Sequence, residues 1–256
     1  MVGKIFVDER TLGTKISQVE SVTYPANRVV ILQPSYLPWI GYFEQMERAD
    51  QFVFLDDVQY TRRDWRNRNK IRTNEGWTWL TVPVQQKNLY TQLLKDTRID
   101  NSTNWSKKHR AAIRFNYSNA PFFENYYPYF DSIYQKQWDF LLDLCCETTE
   151  YFKEALNITT QTFRSSDFSV DGTKADRILN LCKKMRATHY LTGGLAQGYL
   201  SEKNFSKKGV KLEYQKYDHP IYAQQYSGFI PNLSLVDLLF NAGDKSLDVL
   251  LNWNTN

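Results

Sequence analysis

At 256 residues, 42% hydrophobic and 23% charged, the chain has the composition of a folded protein with a sizeable core, which excludes an extended disordered chain. No apolar run approaches the ~20 residues that span a bilayer, and Met1 to Glu20 mix charges throughout, so the expectation is a cytoplasmic protein without membrane insertion or signal peptide. The formal charge of +4, from 32 basic and 28 acidic residues, is too mild to select nucleic acid as a partner.

Residues 1–27 read as an N-terminal extension with a short strand at Lys4 to Val7, and 28–256 as a single α/β domain. Arg28 to Leu32 is a β-branched run of the kind that forms a buried strand. Pro34 and Pro38 stop it, and Trp39, Tyr42, Phe43, Met46 and Ala49 then fall at the spacing of one helix face. Gln51 to Leu55 predicts a second strand, which completes a strand–helix–strand unit with parallel strands. The stretch from Tyr60 to Lys70 is polar and basic, and Trp77 to Val84 predicts a strand closed by proline. Helices are expected over 107–115 and 130–157, with 103–157 as a helical insertion that forms a lobe or lid. Strand 158–163, helix 172–186, strand 188–192 and strand 211–217 follow, and then a helix from Ser234 to Phe240 capped by Ser234 or Asn232. The fold class is therefore α/β, with a Rossmann-like, mostly parallel sheet and flanking helices.

Chemistry is expected where loops leave the carboxyl ends of parallel strands. The loop that starts at Gln33 opens a helix whose free N–H groups suit an anion, and Asp56 and Asp57 leave the next strand at the same edge. The arginines between Arg62 and Arg72, interleaved with Trp65, Asn67, Asn69 and Lys70, suit phosphate or carboxylate, and also single-stranded nucleic acid. Gly193 and Gly194 permit a ligand to approach the backbone closely. Of the three histidines, His109 and His189 read as surface or packing residues, whereas His219, among tyrosines in a loop, reads as an acid/base candidate. Cys145 and Cys146 are adjacent, Cys182 is alone, and no C-x-x-C or H-E-x-x-H spacing occurs, so no metal site is expected. Walker A and G-x-S-x-G are absent too.

Read together, Ile31-Leu32-Gln33-Pro34-Ser35-Tyr36-Leu37-Pro38-Trp39-Ile40-Gly41-Tyr42-Phe43, Leu55-Asp56-Asp57-Val58-Gln59-Tyr60, Trp65 to Ile71, Trp79 to Val84, Tyr190 to Gly194, His219 to Tyr222 and Ser234 to Asn241 resemble the WbqC-like protein family over about 28–245. Members commonly carry His where this chain has Leu32, so no imidazole is on offer there. Members occur in gene clusters for O-antigen and other surface polysaccharides, and transfer of glycine or another acyl group onto a sugar has been suggested for them. The turn at Gln33 to Gly41 is also distantly similar to the H-x-G-H region of nucleotidylyltransferases and pantoate ligases.

The resemblance implies an acyl- or aminoacyltransferase that modifies an amino-sugar carried on a nucleotide. In that reading Arg66, Arg68 and Lys70 bind the donor anion, and Asp57 or His219 is the base. Tyr36, Trp39 and Tyr42 line the pocket, with Gln33, Asp56, Gln59, Asn67, Gly193, Gly194 and Tyr222 completing the substrate contacts. The cofactor is unknown: ATP with magnesium or an acyl donor would each fit. An adenylating enzyme, a nucleic-acid-binding module and a noncatalytic scaffold are the alternatives.

Overall fold

The computed structural model describes residues 26–87 and 89–251, so the strand expected at Lys4 to Val7 lies outside the described residues. In chain order the elements are β1 (Arg28–Leu32), α1 (Ile40–Glu47), β2 (Gln51–Phe54), β3 (Arg68–Thr73), β4 (Gly76–Thr81), α2 (Trp105–Tyr117), α3 (Phe123–Ile133) and α4 (Leu141–Ala155). They continue with β5 (Gln161–Arg164), α5 (Lys174–Lys184), β6 (His189–Thr192), α6 (Glu202–Ser206), β7 (Lys211–Tyr214), α7 (Leu235–Ala242) and α8 (Ser246–Leu250).

Five strands form one parallel sheet in the order β5-β2-β1-β6-β7. Counted along the chain within the sheet, this is the Rossmann order, with the direction of winding reversing between β1 and β6. The sheet divides two cores by the two-residue alternation of its strands. Val29, Ile31 and Val53 face a smaller core with Leu181 and Cys182 of α5 and Phe205 of α6. Val30, Phe52 and Phe54 face a larger one with α1, α2, α3, α4, α7 and α8. The segment expected as a helical lobe therefore shares the main core rather than standing apart from it.

Three expectations about elements need correction. The helix expected over 130–157 is two helices, α3 and α4. Between them Asp139 O accepts from Ile99 N at 2.9 Å and Leu141 N donates to Thr97 O at 2.9 Å, an extended pairing that a continuous helix would forbid. The basic stretch, for which the sequence predicts no element, runs into a strand: Arg68 to Thr73 is β3, paired antiparallel with β4 so that Lys70 lies opposite Trp79 and Arg72 opposite Trp77. Finally, α1 is buried on nearly every side, not on one face; its Glu44 and Gln45 are buried because Gln215 and Arg48 supply their polar partners.

Hairpin β3–β4 packs Asn69, Ile71 and Leu80 inward, with Ile71 and Leu80 in the main core. Ser234 caps α7 by accepting from Val236 N at 3.2 Å, whereas Asn232, the alternative cap, sits in the loop before it.

Candidate functional site: a basic cleft and an aromatic shelf

The loop that leaves β1 at the winding reversal is fixed mainly by backbone contacts. Arg66 Nη1 donates to Gln33 O at 2.9 Å and Pro34 O at 3.4 Å, and Asn69 Nδ2 donates to Leu37 O at 2.7 Å. Tyr36 N donates to Trp65 O and Arg66 O, so the chain just before β3 lies against this loop. Tyr36 and Tyr42, expected in a pocket wall, are core residues. Tyr36 Oη is bonded to Tyr134 Oη and to His109 Nδ1. Burial holds the imidazole of His109 down to about 4, so it is neutral at physiological pH. Trp39 lies across the first turn of α1. A Cβ on Gly41 would come within 2.3 Å of the indole, so only glycine fits beneath the ring.

The two carboxylates at the end of β2 are internally satisfied. Asp56 is fully buried and accepts from Ser166 N at 2.9 Å and Ser166 Oγ at 2.6 Å. Ser165 Oγ lies 2.9 Å from Asp56 Oδ1 and 2.6 Å from Asp57 Oδ1 and can donate its one proton to either. Asp57 also pairs with the Arg177 guanidinium of α5. His219 is similarly engaged: Nδ1 donates to Pro220 O at 2.8 Å and Nε2 accepts from Asn232 N at 3.1 Å. Burial lowers its pKa, and its ring stacks against Trp39 and Tyr222. The hydrogen bonds and ring contacts of Asp57 and of His219 thus involve separate sets of residues.

Tyr222, expected to touch substrate, donates to Asp237 Oδ2 at 2.8 Å. Asp237 also accepts from Tyr117 Oη at 2.9 Å and Gln224 Nε2 at 2.9 Å. Burial pushes its pKa up to about 6 against these three donors and the nearby Arg72. The sequence reading singled out no role for Asp237; an acid amid the apolar run Leu235 to Phe240 is the signal that marks it.

The basic stretch builds an open site. Arg62, Arg63, Asn67, Arg68, Thr81 and Gln86 line a cleft of about 510 Å³, with no carboxylate in its lining. Arg62 Nη2 donates to Gln86 O at 3.1 Å and its guanidinium lies 4.8 Å from the Tyr90 ring centre. Arg68 Nη2 donates to Arg63 O at 2.6 Å, while Arg68 Nε is buried without a partner. Asn67 Nδ2 donates to Val82 O at 2.8 Å, and its buried Oδ1 is likewise unpartnered. Of the residues expected here, Asn67 and Arg68 line the cleft. Arg66 instead braces the β1 loop, Lys70 lies among the neighbouring indoles, and Gln59 donates to Tyr90 O at 2.9 Å at the rim segment. Thr81 and Gln86 were not singled out, because neither has a distinctive local pattern. Gly193 and Gly194 follow β6 at the winding reversal, and Gly193 has no neighbouring atom where a side chain would begin.

The sheet order and this cleft define a Rossmann-like α/β protein with a basic, tryptophan-rich hairpin inserted after β2. The chain belongs to the WbqC-like protein family, whose model matches residues 33–249. It is 39% identical over 225 residues to a protein of Mycobacterium tuberculosis (strain ATCC 25618 / H37Rv) described as uncharacterized protein Rv1507c, covering 87% of this chain and 97% of that one. No solved structure matches the chain significantly. Among the described residues no helix is long and apolar enough to cross a membrane, and no group of three His, Cys, Asp or Glu side chains is placed to share a metal ion.

Proposed function

We propose that the protein is an acyl- or aminoacyltransferase acting on an amino-sugar, recognised in nucleotide-linked form. The observation that carries this reading is the cleft lined by Arg62, Arg63 and Arg68 without a lining carboxylate. Guanidinium forks pair with the paired oxygens of a diphosphate. Family membership supports the setting, since the family's occurrence with polysaccharide genes fits a sugar substrate.

In the reaction the sugar amine attacks the acyl carbonyl carbon, the bond from that carbon to the donor breaks, and the amine loses a proton to a base. Asp57 and His219 are the candidates for that base. The one lone pair of His219 is engaged by Asn232 N, so accepting a proton there requires that bond to open, whereas each Asp57 oxygen, bonded to Ser165 or Arg177, keeps a second lone pair.

The test is thermal stability against nucleotide-linked amino-sugars, ATP with magnesium, coenzyme A thioesters and short single-stranded RNA. A ligand at about 100 times its dissociation constant adds roughly 2.7 kcal/mol of stability. A shift with a nucleotide-sugar that Arg68→Gln removes supports the reading, and its absence across all nucleotide-sugars overturns it. The Rossmann strand order favours one second reading, an adenylating enzyme, which predicts a shift with ATP and magnesium alone.

A further inference from the structure

Residues alternate across a hairpin, so Arg68, Lys70 and Arg72 of β3 share one face with Thr81, Trp79 and Trp77 of β4. Three indoles gather there. Trp79 lies 5.4 Å from Trp65 at 50° and 5.6 Å from Trp77 at 84°, centre to centre. Trp65 and Trp77 remain 41% and 45% exposed, a large apolar area to leave in water beside a well-filled core. Lys70 Nζ lies 4.1 Å from the Trp77 ring centre, 5.3 Å from Trp79 and 6.0 Å from Trp65. No carboxylate lies within ion-pair distance of that ammonium among the described residues.

We infer that this shelf binds an acidic saccharide, with the sugar ring against the indoles and its carboxylate on Lys70. Three features select that chemistry. The near-perpendicular Trp77 and Trp79 make a corner, which a three-dimensional pyranose can fill on two sides, whereas a flat base stacks on one ring alone. The C–H face of a sugar carries the partial positive charge that an indole face attracts. The charge available is small: Arg72, on the same face, is buried and donates to Thr73 O, Gly76 O, Ser227 O and Gly228 O. That leaves Lys70, with Arg68 at the border 4.3 Å from Trp79, to meet one or two negative charges. A nucleic-acid strand, with a phosphate on every residue, would want a longer basic track.

The inference does not rest on the transferase reading, because the shelf and the cleft meet only at Arg68. The experiment is titration of the full chain, by calorimetry and tryptophan emission, with a tetrasaccharide of alternating glucuronate and N-acetylglucosamine. An N-acetylglucosamine tetrasaccharide is the neutral counterpart, and a short single-stranded RNA and inorganic pyrophosphate complete the set. The acidic sugar is expected to change indole emission and to bind about tenfold tighter than the neutral one, as befits one charge-assisted contact. Lys70→Gln removes that difference, Lys70→Arg keeps it, and pyrophosphate binding survives Lys70→Gln. Because Trp77→Ala could loosen the hairpin, Lys70→Gln with an unchanged circular dichroism spectrum decides the matter. Equal affinity for the two tetrasaccharides, undiminished acidic binding by Lys70→Gln, a response to RNA alone, or no binding of either sugar overturns the inference.

Discussion

Two charged clusters flank the carboxyl edge of β1 and β2, and they differ in how far the protein itself satisfies them. Asp56 and Asp57 are met by Ser165, Ser166 and Arg177, so their charge is spent on holding the end of β2, the turn after β5 and α5 together. Arg62, Arg68 and Lys70 have carbonyls or aromatic rings for neighbours, and neither they nor Arg63 have a carboxylate in ion-pair contact among the described residues. The difference teaches that charge and position at a sheet edge do not by themselves mark a ligand site. The balance of partners does: a satisfied cluster is architecture, and an unsatisfied one is a site in want of an opposite charge.

Substitutions can break that contrast. Asp56→Ala should be the most damaging, because it removes the buried carboxylate that takes Ser166 N and Ser166 Oγ and leaves Ser165 Oγ with Asp57 alone; a loss of about 3 kcal/mol is expected in urea unfolding. Arg68→Gln should lower stability by only about 1 kcal/mol, from the contact with Trp79 and the bond to Arg63 O. Its larger effect should appear in binding, where losing one charge-assisted contact, about 1.5–3 kcal/mol, weakens nucleotide-sugar affinity by roughly tenfold to hundredfold in calorimetry.

Asp237 sharpens the contrast as a satisfied carboxylate whose desolvation still outweighs its donors. A pKa raised from 3.8 to about 6 means that the folded state takes up a proton which the unfolded state does not yet hold. Stability therefore rises as pH falls from 7 to 5, by about 1 kcal/mol from this group, and the gain is absent from Asp237→Asn. Thermal melts of both proteins across that range check the sign; a parallel response would show that Asp237 is not the group titrating. Smallest of all, Lys70→Met should cost only about 0.5–1 kcal/mol of stability, the scale of an exposed cation–π contact.

Much of this architecture was legible in local sequence. The run Arg28 to Leu32, the prolines behind it and the strand from Gln51 spelled out β1–α1–β2, and Ser234 declared the start of α7. Strand β3 was hidden because its buried side is only Asn69 and Ile71, while Arg68 and Lys70 on the other side resemble a solvated loop. The break between α3 and α4 depends on Thr97 to Ile99, remote in sequence from the segment they pair with. At the site, the basic stretch announced the cleft. The partners that close off Asp56 and Asp57 did not announce themselves, since Ser165 and Arg177 stand more than a hundred residues from the acids they meet.

Beside the apolar packing of Ile71 and Leu80, the side chains that moor the hairpin and its approach do so through main-chain oxygens. Arg66 uses those of Gln33 and Pro34, Asn67 that of Val82, Asn69 that of Leu37, and Arg72 those of Ser227 and Gly228. Every amino acid supplies a carbonyl, so the moorings constrain the path of the surrounding chain far more than its spelling. Side chains at those carbonyl positions can therefore change over evolutionary time without loosening these bonds, and the hairpin's outward face can be rewritten for a new ligand while the core and the carbonyls hold it.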